Sequence, residues 1–223
     1  MTRGIFIAGN ESAISRAIEA EVLKRVERFT IALIPNRFTG TPKNTATTNE
    51  KRITLDWNPS SPISARTLVL AAENRMDQIN EAILICSPPS IRSSAAELPL
   101  ADIEIMISDH IKGWFYLVKE LATIFSSRHS GTLALVYPEI SAGGGSKDDA
   151  ADILGPSALA SFHALTKSLL TAAGREQYVT AGFSSSDTGN EAAFAAFIFK
   201  YIDETSKRTN GKLHKFGKFN FFK

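Results

Sequence analysis

What the chain is short of narrows its function before any motif is read. Its 223 residues include a single cysteine, Cys86, so no disulfide can close within the chain. The apolar run "AILICS" around it marks a small core residue of a reducing compartment. The four histidines are far apart, and none is spaced with another, or with the thiol, as metal ligands are; no metal site is expected. Charge of one sign is also lacking. The 25 basic and 23 acidic residues leave a net charge of +2, which gives no whole-surface attraction for nucleic acid or anionic lipid. No apolar run is long enough to cross a bilayer, and the opening "MTRGIFIAGN" lacks the apolar stretch of a signal peptide. The expectation is a cytoplasmic protein with no membrane or nucleic-acid partner.

What is present is a regular alternation of strand and helix. Short apolar strands are expected at Ile5 to Ala8, then from Phe29, Arg52, Glu81, Gly131 and Tyr178, with "KLHKFGKFNFF" closing as a seventh. Between them lie helices at Ser12 to Arg28, Pro62 to Ile79, Ala101 to Ser126, Pro156 to Ala173 and Gly189 to Thr205. The first carries Ile14, Ile18, Val22 and Val26 on one i,i+4 stripe. The strands show no period-2 polarity, so both of their faces should be buried. That predicts an α/β fold: a three-layer, Rossmann-like, doubly wound parallel sheet of about seven strands in one domain spanning 1–223. The low-complexity stretch "SAGGGSKDDA" reads as a loop. The basic tail, with lysines among phenylalanines, reads as an edge strand with lysines outward rather than as a polyanion site.

The order and spacing of these elements, with "LDWN" after the third strand, "HIKGWF" in the long helix, "GTLALV" in the fifth strand and "ALTKSLL" in the next helix, resemble the short-chain dehydrogenase/reductase family along essentially the whole chain. That resemblance implies an NADP-type cofactor at the first turn. The family's Thr-Gly-x3-Gly-x-Gly falls on Ala8 to Ser15, where only Gly9 is a glycine. Gly9, Ser15 and Ala17 are similar to the Gly-x5-Ser-x-Ala turn of divergent enoyl reductases, which implies a Ser15 hydroxyl facing a phosphate. Glu11 argues the other way, for a worn turn that merely joins strand to helix. Arg37, with no acid beside it, implies a 2′-phosphate and hence NADP over NAD. Asp56 matches the aspartate that contacts the adenine amino group. The fourth strand ends Cys86, Ser87, Pro88, Pro89, so Ser87 would lie beside the nicotinamide and two rigid prolines would crowd it.

The family's catalytic groups are changed at every position. Its tyrosine and lysine, one helical turn apart so that they share a face, fall on Gly155 and Leu159. No tyrosine occurs between Glu139 and Gln177. The serine falls at Tyr137-Pro138 and the asparagine at His110. Tyr137 and His110 are the candidate substitutes for acid/base work. Three readings follow: a non-catalytic or weakly active protein that binds a nucleotide, an NADPH-dependent oxidoreductase using Tyr137 and His110, and a structural or interaction subunit with no cofactor. The resemblance also implies a homodimer or homotetramer built through helices 101–126 and 156–173. Trp114, Phe115, Tyr116, Leu117 and Val118 are consecutive, so some must point away from the sheet, and Phe162, Leu165 and Leu169 offer a second stripe for its apolar faces.

Overall fold

Neighbouring residues of each inner strand point into different cores. Ile5 and Ile7 of β1 (Ile5–Gly9) join one buried cluster while Phe6 and Ala8 join the other. The same division separates Ile83 and Ile85 from Ala82 and Leu84 in β4 (Glu81–Ile85). It also separates Ala134 and Val136 from Leu133, Leu135 and Tyr137 in β5 (Thr132–Pro138). A strand that must be apolar on both faces cannot alternate with polar residues, which is why these segments read as unbroken apolar runs.

The computed structural model describes residues 3–26, 29–35, 51–139, 152–187, 189–204 and 209–217. With β2 (Phe29–Leu33), β3 (Arg52–Leu55), β6 (Val179–Ser185) and β7 (Lys212–Phe216), the strands form one sheet in the order β3-β2-β1-β4-β5-β6-β7. Every pairing is parallel. Helices α1 (Ala13–Val22) and α6 (Glu191–Asp203) pack together on one face. On the other lie α2 (Pro62–Met76), α4 (Gly113–Arg128) and α5 (Leu154–Ala172). This is the doubly wound Rossmann-like α/β fold that the alternation of elements predicts.

Serine begins the first two helices, as its hydroxyl suits an N-cap. Ser12 caps α1, and Ser61 caps α2 ahead of Pro62. The expected helix over Ala101 to Ser126 is present, unbroken from Leu100 to Arg128, but it contains a π-helical turn. It runs as α3 (Leu100–Ile107), then a π-helical turn, Ser108–Lys112, then α4. The extra residue of a π turn rotates everything after it, a shift that the apolar stripe alone cannot reveal. One correction concerns the faces offered for self-association. Phe162 is 1% exposed and packs edge-on against Trp114 at 5.2 Å, so it joins α5 to α4 inside the core. In α4 the consecutive apolar residues divide as expected, with Trp114, Leu117 and Val118 buried and Phe115 half exposed. Cys86 is buried, as expected, and burial pushes its thiol pKa up. At the sheet edge Lys212 and Lys215 are exposed, while Phe216 packs against Phe194 and Phe197.

Phe162→Ala should lose about 3–5 kcal/mol, the usual range for truncating a buried aromatic. Replacing Ile63, 77% exposed on α2, by serine should stay within about 0.5 kcal/mol of wild type. Urea unfolding curves of the two variants test this assignment of core and surface.

Candidate functional site

In a doubly wound sheet the crevice opens where the strand order reverses, beyond the carboxyl ends of the strands. Here that point lies between β1 and β4. Gly9 ends β1 there, and a Cβ on it would stand 2.8 Å from the Ile85 carbonyl oxygen. Glycine is therefore required by strand-to-strand approach, whatever else the turn does. The next residue, Asn10, reaches across the crevice and donates its amide to the Ser87 carbonyl. The segments that leave the carboxyl ends of β1 and β4 are thus tied to each other by a hydrogen bond.

The start of α1 is likewise tied by hydrogen bonds. The Ser15 backbone N–H donates to Ser12 Oγ at 3.2 Å, and the Ser12 N–H donates to Ser15 Oγ at 2.7 Å. Ser15 Oγ in turn donates toward the Ser12 and Asn10 carbonyls, at 2.9 and 3.1 Å. The hydroxyl implied to face a phosphate is 3% exposed at residue level and is turned into this capping box. Glu11 points outward and pairs with Arg16 at 3.3 Å, both well exposed. Asp56 lies exposed just past the end of β3. Arg37 lies outside the described residues, as does the stretch read as a loop, 141–150.

Beyond β4 the chain runs through Ser87, Pro88 and Pro89 and then meets the start of α5. Arg92 and Asp152 form an antiparallel bridge, and Asp152 Oδ1 accepts from the Gly155 N–H at 2.9 Å. A Cβ on Gly155 would stand 2.6 Å from Asp152 Oδ2 and 3.1 Å from the Pro89 carbonyl oxygen. One turn on, Leu159 is 8% exposed and belongs to the core on that face. At the two places where the resemblance implies a catalytic tyrosine and lysine, the structure has a backbone crowded by Pro89 and a buried leucine.

Tyr137 and His110 are both buried. Burial, reinforced by the nearby Glu139 carboxylate, pushes the Tyr137 phenol up to about 12. Burial pulls the His110 imidazole, in the π turn, down to about 4. The ring partners of Tyr137 are Phe162 at 6.1 Å and His163 at 5.3 Å, both on α5. His163 escaped the sequence reading because its tie to Tyr137 runs between a helix and a strand. Its i,i+4 spacing to Lys167 was the available signal. Among the described residues no group of His, Cys, Asp and Glu could hold a metal ion, and no helix is long and apolar enough to cross a membrane.

No protein-family model matches this chain, and no curated protein matches it in sequence. Solved structures do match its fold. Levodione reductase superposes with a TM-score of 0.71 at 14% identity, covering 96% of this chain and 95% of that one. A short chain dehydrogenase from Bacillus anthracis gives 0.74 at 14% identity, over 96% and 94%. ElxO, solved with NADP bound, gives 0.73 at 12% identity, over 96% and 97%. The chain therefore has the fold seen in short-chain dehydrogenases and reductases.

A buried, neutral His110 makes stability depend on pH. The unfolded chain takes up a proton as pH falls through about 6.5, and the folded state does so only near 4, so stability is lost on acidification across that window. The His110 contribution between pH 7 and pH 5 is roughly 2 kcal/mol. Urea unfolding at the two pH values should show wild type losing more than His110→Gln. An NMR titration that puts His110 near 6.5 would contradict it.

Proposed function

We propose that this protein is a degenerate short-chain dehydrogenase/reductase that does not catalyse hydride transfer. The observation that carries the reading is the start of α5. A Cβ at Gly155 would displace the Asp152 carboxylate, which accepts from the Gly155 N–H, and press on the Pro89 carbonyl, and Leu159 sits in the core where an ammonium would have to reach a ribose. The nicotinamide half of the crevice does not fit the cofactor. The pyrophosphate turn fits it poorly as well, because the Ser12 and Ser15 N–H groups are engaged in their own capping box and Asn10 bridges to Ser87. The adenosine half is where any nucleotide affinity resides, through Asp56 and Arg37, and Arg37 favours NADPH over NADH.

The oxidoreductase reading needs Tyr137 and His110 as acid and base near neutral pH. Their shifts run the wrong way for that task. A phenol raised to about 12 is hard to ionise, and an imidazole lowered to about 4 is a feeble base. The protein accordingly works by binding or assembly. Phe115 and Leu100, exposed on α4 and α3, with Leu165 and Leu169 on α5, are the surfaces through which two copies pair.

Two outcomes are expected. NADPH consumption with carbonyl and enoyl substrates stays at background, and the double variant Gly155→Tyr/Leu159→Lys gains no rate while losing stability. A robust wild-type rate abolished by Tyr137→Phe or His110→Ala would overturn the proposal. Light scattering at micromolar concentration should give a mass above the 24.2 kDa of one chain. A clean monomer would remove the assembly part.

A further inference from the structure

Between β5, α5 and β7, next to the positions that the resemblance gives to the family serine and lysine, lies a second concavity. One lobe, of about 380 Å³, is lined by Tyr137, His163, Thr166, Lys167, Leu170 and Leu213 among others. An adjoining lobe of about 250 Å³ shares Tyr137, His163 and Leu213 and adds Leu159, Glu139 and Lys215. The larger lobe lies within the ordinary size range of small-molecule sites. Its walls combine leucines with two aromatic rings, since Tyr137 and His163 stand 5.3 Å apart and tilted by 37°.

Most polar groups on these walls already have partners. The Thr166 hydroxyl donates to the Phe162 carbonyl at 2.8 Å, and the Thr171 hydroxyl to the Lys167 carbonyl at 2.9 Å. Glu139 accepts from Ser184 Oγ at 2.9 Å and pairs with Lys215 at 3.3 Å. Besides the His163 imidazole, which contacts the Tyr137 ring, two groups stand apart. Tyr137 is 4% exposed, and among the described residues its buried hydroxyl has no hydrogen-bond partner. Lys167, one turn beyond His163 on the same helix, forms no ion pair among the described residues. A buried hydroxyl left without a partner is a standing destabilisation that a ligand acceptor would relieve. The raised pKa of Tyr137 keeps that hydroxyl a donor at neutral pH.

We propose that this cavity is a binding site for a small planar organic acid, an aromatic monocarboxylate. Its ring lies between the Tyr137 and His163 rings and the leucines. Its carboxylate accepts from the Tyr137 hydroxyl and faces the Lys167 ammonium. The cavity adjoins the catalytic end of the crevice through Tyr137 and Leu159, and its assignment rests on the proposed loss of hydride transfer; binding is read without NADPH, so its failure is distinguishable from a failure of that reading.

Benzoate is the probe, with benzyl alcohol as its uncharged counterpart, each titrated into the full-length protein by ligand-observed and protein-observed NMR. Benzoate should saturate in the millimolar range, bind more tightly than benzyl alcohol, and weaken by about tenfold in Tyr137→Phe and again in Lys167→Gln. Without ligand, Tyr137→Phe should be at least as stable as wild type, because it removes only an unpartnered hydroxyl. Three results would each overturn the proposal: no saturable benzoate binding, equal binding of benzyl alcohol, or a Tyr137→Phe protein clearly less stable than wild type, which would mean that the hydroxyl already has a partner.

Discussion

The close approach of β1 and β4 is the constraint on which the rest of the molecule depends. These strands lie at the centre of the sheet, and the strand order reverses between them. At their carboxyl ends the Ile85 carbonyl leaves no room for a side chain at position 9. The two strands present apolar residues to both cores, so α1 and α6 can cover one face while α2, α4 and α5 cover the other. In an open sheet of this kind the reversal point would ordinarily be a ligand crevice. Here Asn10 donates to the Ser87 carbonyl, the start of α1 carries its own capping box, and Arg92 bridges to Asp152 beside Gly155.

Seen this way, Gly9 is ambiguous as a functional signal. A glycine at the end of a central strand meets two demands, backbone packing and phosphate approach, and the packing demand is sufficient alone. Ser15 is ambiguous for the same reason. A serine three residues after an N-cap serine can face a phosphate or complete a reciprocal cap, and the two states use the same hydroxyl. The structure has the cap.

Much of the fold was legible in the sequence because strands buried on both faces leave a direct trace: "IFIAG", "EAILI" and "TLALVYP" are apolar without alternation. Ser12 and Ser61 marked helix starts through their capping chemistry. The site was less legible. Nothing local in "SDHIK" shows a π turn, since that depends on how α3 and α4 must each meet the core. Phe162 sits on a stripe equally suited to an interface or an interior, and its contact with Trp114 decides for the interior. The crowding at Gly155 comes from Pro89 and Asp152, and the pairing of Tyr137 with His163 joins β5 to α5. Such contacts between distant segments have no periodicity to read.

The central claim is that the nicotinamide half of the crevice has been filled by protein. A crystal structure of the protein grown with NADPH tests it most directly. The account predicts that no nicotinamide ring lies between the Pro88–Pro89 segment and the start of α5, and that the Asn10–Ser87 and Arg92–Asp152 contacts persist. A nicotinamide seated beside Gly155, with those contacts opened to admit it, would contradict the account.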